Sequence, residues 1–90
     1  MKKFRILIVD DNNPFRETLK KTLQVSFPTI AIDGAADGGE ALQKVDAFLP
    51  DLIFMDIRLP GENGLKLTKK IKATQRGHIR LLVVCKEVNL

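Results

Sequence analysis

The apolar residues of this chain fall into short blocks set between polar and turn-forming residues. Phe4 to Val9 is short, largely apolar and β-branched, and it stops sharply at Asp10-Asp11, which predicts a buried strand. Asn12-Asn13-Pro14 follows as a helix start, an Asn cap with proline near the first helical position. Phe15, Leu19 and Leu23 recur every fourth residue and define one helix face, which Phe27-Pro28 ends. Thr29 to Asp33 alternates like a second strand. Asp37-Gly38-Gly39-Glu40 has the pattern of a capping box, and Ala41, Leu42, Val45 and Phe48 or Leu49 line the helix behind it until Pro50-Asp51.

Asp51 to Ile57 carries an apolar run without alternation. Such a run fits a central parallel strand covered on both faces. Leu59-Pro60-Gly61-Glu62-Asn63-Gly64 reads as a loop ending in an Asn cap. A third helix is predicted from Leu65 to about Thr74, with Leu67 and Ile71 inward and Lys66, Lys69 and Lys70 outward. After the turn Gln75-Arg76-Gly77-His78, Ile79 to Cys85 reads as a fourth strand. The order β-α-β-α-β-α-β implies parallel strands joined by right-handed crossovers, an α/β fold. One domain spanning residues 1–90, with no linker or repeat, is expected.

Composition narrows the function classes. With 44% hydrophobic and 29% charged residues the chain is globular rather than disordered. No apolar run approaches the ~20 residues of a membrane span, and nothing resembles a signal peptide, so a cytoplasmic location is expected. Cys85 is the single cysteine, which excludes an internal disulfide and a cysteine-built metal site. The net charge of +4 is uneven: Asn63 to Lys86 holds seven basic residues and no acid. A solvated helix face explains this. With no Trp or Tyr in the chain, base stacking and hence nucleic-acid binding are poorly supported.

The acids carry the chemistry. Asp10 and Asp11 follow the first strand and Asp56 ends the third. Sites of open parallel α/β sheets form outside the carboxyl ends of the strands. With strand one beside strand three, all three acids converge and repel. A hard divalent cation relieves the repulsion, and Mg²⁺ needs only one or two carboxylates because it keeps several waters. The expectation is a Mg²⁺ site with a carboxylate able to attack phosphorus. The competing reading is that these are ordinary turn formers and helix caps.

Ile6-Leu7-Ile8-Val9-Asp10-Asp11-Asn12, together with Leu52 to Gly64, resembles the receiver domain of bacterial two-component response regulators. The resemblance runs from about Lys3 to Lys86. It implies a flavodoxin-like parallel sheet with strand order 2-1-3-4. It makes Asp56 the phosphoacceptor and Asp10, Asp11 and Asp56 metal ligands, with the Arg58 backbone carbonyl completing the set. The implied cofactor is Mg²⁺, and the implied donor is a phosphohistidine of a sensor histidine kinase or a small acyl phosphate. Self-phosphorylation and self-dephosphorylation would be the only enzymatic activity.

The chain also departs from the family pattern. The last helix-strand-helix of a complete receiver has no counterpart, and with it the fifth-strand lysine that pairs with the phosphoryl group. Lys86 follows the wrong strand to replace it. Cys85 stands where the family has Thr or Ser. A thiol is the weaker donor, and a buried small hydrophobe is the plainer role for it. Strand four would be an exposed edge, a template for pairing, so a homo-oligomer through that edge is expected. Three other functions compete with the phosphoacceptor: a degenerate receiver acting only in dimerisation or interaction, a nucleic-acid binder using the basic third helix, and a small phosphohydrolase.

Overall fold

The computed structural model describes residues 3–59, 61–75 and 80–84. Pro60, Cys85 and Lys86, which entered the sequence reading, lie outside the described residues, as do residues 76–79. The elements in chain order are β1 (Arg5–Val9), α1 (Asn13–Ser26), β2 (Ala31–Ala35), α2 (Gly38–Phe48), β3 (Leu52–Asp56), β4 (Arg58–Leu59), β5 (Glu62–Asn63), α3 (Gly64–Gln75) and β6 (Arg80–Val84). Four strands form a parallel sheet in the order β2-β1-β3-β6. This is the predicted 2-1-3-4 arrangement, with β6 as its fourth strand.

The alternation of side chains along β1 and β3 builds two cores. Leu7, Val9, Ile53 and Met55 point to one face and pack with Ala41 and Val45 of α2 and Leu67 and Ile71 of α3. Ile6, Ile8 and Ile32 point to the other, where Leu19 and Leu23 of α1 and Leu52 and Phe54 of β3 are only partly buried. Both central strands therefore face protein on each side, which is why their apolar runs do not alternate. The covers are unequal. Two helices seal the first face, whereas no residue of α1 is fully buried and Phe15, on the predicted apolar face with Leu19 and Leu23, is 41% exposed.

The caps follow from local chemistry. The Asn12 side chain accepts from the Phe15 N–H at 3.0 Å, and the Asp37 side chain accepts from the Glu40 N–H at 2.8 Å. Glu40 reaches back to the N–H of Ala36, one residue before the cap. Asp51 does more than end a helix: its carboxylate accepts from Arg5 N–H at 2.8 Å and so ties the starts of β1 and β3 together.

Three local expectations are corrected. The second strand begins at Ala31 rather than Thr29, because the residues after α1 turn back first, with Ile30 N–H on the Phe27 carbonyl. The segment between β3 and α3 is not a plain loop but a two-residue antiparallel ladder, Arg58↔Asn63 and Leu59↔Glu62. Leu49 does not line α2; it is an exposed cap in the left-handed region, φ 52°.

The left-handed conformation costs a non-glycine residue about 1–2 kcal/mol. Leu49→Gly is therefore expected to raise stability by about 1 kcal/mol, read by urea denaturation followed by far-UV circular dichroism.

Lys44 of α2 supplies a pH-dependent tie to β2. Burial opposes its charge, but hydrogen bonding and attraction from Asp33, with Glu40 adding to both, raise its pKa above the usual 10.5. A raised folded-state pKa gives stability that is complete below the unfolded value and lost as pH climbs through the folded one. The stability gap between the wild type and Lys44→Met should thus narrow as pH rises beyond about 10.5.

Candidate functional site

The site is a product of strand register. β1 and β3 run parallel with Val9 opposite Met55. One residue further on, Asp10 and Asp56 stand side by side at the carboxyl ends of neighbouring strands, about 4.8 Å apart along the hydrogen-bonding direction. Each continues the side-chain alternation of its own strand, so both carboxylates lie on the same face. Asp10 and Asp56 are each 3% exposed, whereas Asp11 is exposed. One carboxylate oxygen from each of Asp10, Asp11 and Asp56 lies within 4.8 Å of the others. The three acids singled out in the sequence are thus brought together.

Two buried negative charges at about that separation repel by roughly 3 kcal/mol even at an effective dielectric near 20. Backbone donors offset part of this. Asp10 Oδ1 accepts from Asn12 N–H at 2.8 Å, and Asp56 Oδ1 accepts from Arg58 N–H at 2.9 Å. These contacts also orient the carboxylates. Asp10 is fixed along its main chain as well: its N–H donates to the Ala35 carbonyl at 3.0 Å, and its carbonyl accepts from Arg16 Nη1 at 2.7 Å.

The donor set consists of carboxylate oxygens, suited to a hard cation such as Mg²⁺ or Ca²⁺ rather than to a thiophilic metal. The Arg58 carbonyl was expected to join it. Gly64 N–H bonds to the Ile57 carbonyl at 3.0 Å, and hydrogen-bonded and non-bonded pairs alternate along an antiparallel ladder. The next pair, Arg58↔Asn63, is therefore the kind that exchanges no backbone hydrogen bonds. Among the described residues the ladder thus does not engage the Arg58 carbonyl, while the Arg58 side chain is exposed.

Beside the acids, an apolar cavity of about 160 Å³ lies between α1 and the sheet, lined by Ile8, Phe15, Leu19 and Phe54 together with Asp10 and Asp56. On the opposite side of the site the α3 lysines Lys66, Lys69, Lys70 and Lys72 are all exposed, in keeping with a solvated helix face. Sequence reasoning missed two glycines. Gly64 starts α3 so close to β3 that a Cβ there would collide with Ile57 Cα and sit 2.7 Å from the Asp56 carbonyl oxygen. Gly34 lies under the Arg16 side chain. A glycine inside a strand pattern is a signal of close approach, so Gly34 was legible in principle. Gly64 belongs to the segment that carries the family resemblance, but nothing in the sequence marked it as a point of close backbone approach.

Comparison with known proteins agrees with this geometry. The family model described as the response regulator receiver domain matches residues 6–89. Response regulator MprA of Mycolicibacterium vanbaalenii is 36% identical over 70 residues, which cover 78% of this chain and 29% of that protein. MprA of Mycobacterium tuberculosis is 36% identical over the same length, with 30% of it covered. The chain thus spans under a third of the length of these curated relatives. Among solved structures, a CheY-like receiver domain protein from Methanospirillum hungatei superposes with a TM-score of 0.86 at 29% identity, covering 99% of this chain and 69% of that one. A chain of the crystal structure of histidine kinase ThkA in complex with response regulator protein TrrA gives 0.83 at 34% identity, covering 96% and 72%.

The Gly64 contact makes a direct prediction. Because the colliding atoms are backbone, Gly64→Ala can be accommodated only by moving α3 away from Asp56. It should cost about 1–3 kcal/mol, the usual range for overpacking, measured by urea denaturation.

Proposed function

Since the chain belongs to the response regulator receiver domain family, we propose that it is a phosphoacceptor module of two-component signalling, with Asp56 as the acceptor and Mg²⁺ as the cofactor. The observation that carries this reading is the convergence of Asp10, Asp11 and Asp56 within 4.8 Å, with Asp10 and Asp56 buried at the ends of the central strands. Asp10, Asp11 and Asp56 would hold the ion, with the Arg58 carbonyl as a further ligand. When bound, the ion supplies positive charge against the carboxylates and the incoming phosphoryl oxygens.

The residues of the chain do the rest. The Asp56 carboxylate attacks phosphorus in line; a new O–P bond forms as the bond from phosphorus to the donor breaks, and the electron pair leaves with the donor. Arg58 N–H holds the carboxylate in orientation through Oδ1. Attack by water on the resulting acyl phosphate returns Asp56 and releases inorganic phosphate. The donor class is a phosphohistidine of a sensor histidine kinase, as the partnership of TrrA with ThkA suggests, or a small acyl phosphate. Among the described residues no helix is long and apolar enough to cross a membrane. We place the module in the cytoplasm, where such kinases present their phosphohistidine. The edge position of β6 in the described sheet supports pairing with a second copy of the chain.

The test is incubation with Mg²⁺ and acetyl phosphate followed by native mass spectrometry, with Asp56→Asn alongside. A single phosphoryl adduct on the wild type, absent from the variant and from a sample with EDTA, is expected. A folded, Mg²⁺-supplied wild type that takes no adduct would turn the reading to a degenerate receiver that works by interaction alone. The same spectra report oligomer mass, and a strictly monomeric protein would remove the strand-pairing element.

A further inference from the structure

Arg16 has no part in the function proposed above, yet it makes more polar contacts around the acid site than any purely solvated arginine needs. It sits in the first turn of α1 and is half-buried. Nη1 donates to the Asp10 carbonyl at 2.7 Å, and Nη2 donates to Asn13 Oδ1 at 2.5 Å. Its stem crosses β2 at Gly34, where a Cβ would lie 2.9 Å from Arg16 Cδ and 3.1 Å from Nε. The guanidinium thus bridges the end of β1 and the start of α1, the two sides of the Asp10-Asp11-Asn12 turn. The same turn carries two of the three acids.

We propose that Arg16 is a positioning residue for the metal-binding acids, seated by the missing side chain of Gly34. The proposal rests on the reading of the acid cluster as a Mg²⁺ site. The physical case is that a turn bearing two like charges tends to open, because separation relieves repulsion. Contacts that hold Asp10 against this include the Ala35 carbonyl on its N–H, Asn12 N–H on its carboxylate and Arg16 Nη1–H on its carbonyl. Of these three, the last reaches across to α1 through a side chain. A planar fork with two donors at fixed spacing suits this bridge, and a lysine ammonium does not supply it.

The sign of the effect separates positioning from simple electrostatics. A positive charge beside a cation site weakens cation binding by repulsion. If charge were all that mattered, removing Arg16 would tighten Mg²⁺ binding. If Arg16 holds the ligands in place, removing it loosens binding. Outer-shell groups that orient metal ligands usually matter by roughly 10- to 100-fold in affinity.

The experiment is Mg²⁺ titration by calorimetry on wild type, Arg16→Met, Arg16→Lys, Gly34→Ala and the Arg16→Met/Gly34→Ala double variant, each checked for folding by thermal melting. Gly34 shows no left-handed φ, so alanine fits its backbone and the collision falls on a movable side chain. The expected result is roughly 10-fold weaker binding in Arg16→Met. Arg16→Lys should fail to rescue, and Gly34→Ala should lose affinity with little change in melting temperature. In the double variant the two losses should not add, since both act through one contact. Equal or tighter binding by folded Arg16→Met would overturn the proposal while leaving the Mg²⁺ site standing. A folded wild type that binds no Mg²⁺ would overturn the reading of the site and this inference with it.

Discussion

The structure depends on the parallel register between β1 and β3. That single alignment does two things. It pairs two wholly apolar segments of the chain, Ile6 to Val9 and Leu52 to Met55, so that the sheet has a doubly covered centre. It also ends both strands at the same level, so that Asp10 and Asp56 emerge together. Burial and charge are coupled through it. A slip of one residue would carry the buried side chains of one strand to the other face and would separate the carboxylates as well. The hydrophobic register is therefore what maintains the close approach of like charges.

The approach has an energetic cost, and the surrounding backbone offsets part of it locally. Asn12 N–H and Arg58 N–H each hold one carboxylate oxygen, Ala35 and Arg16 hold the Asp10 main chain, and Asp51 closes the opposite end of the same strand pair. Most of these contacts involve turns that immediately follow the strands. The apolar strands set position to within a residue, and the turns set orientation to within a bond.

Much of this was legible in the sequence. The unbroken apolar runs gave the central strands, Asn12-Asn13-Pro14 and Asp37-Gly38-Gly39-Glu40 gave the helix starts, and the placement of Asp10, Asp11 and Asp56 at strand ends gave the acid cluster. What escaped has a common physical origin. The β4–β5 ladder is only two residues on each side, too short for any periodicity to register. Phe15 has the spacing of a core residue but remains partly exposed, because spacing defines a helix face without defining how completely that face is covered. Gly64 and Arg16 act through tertiary contacts, and neither a helix-start glycine nor an arginine in a first turn carries a local signal of what it will meet.

The start of α3 shows what such a contact entails. Gly64 lies against the backbone of Ile57 and Asp56 with no side chain between, and its N–H is bonded to Ile57. Thr68 Oγ1 donates back to the Gly64 carbonyl at 2.8 Å inside the packed interface. The end of β3 and the first turn of α3 are therefore joined backbone to backbone, without a compliant layer of side chains. A small displacement of the Asp56 main chain has no soft material in which to dissipate. It would be handed directly to the first turn of the helix whose outer surface carries the exposed lysines.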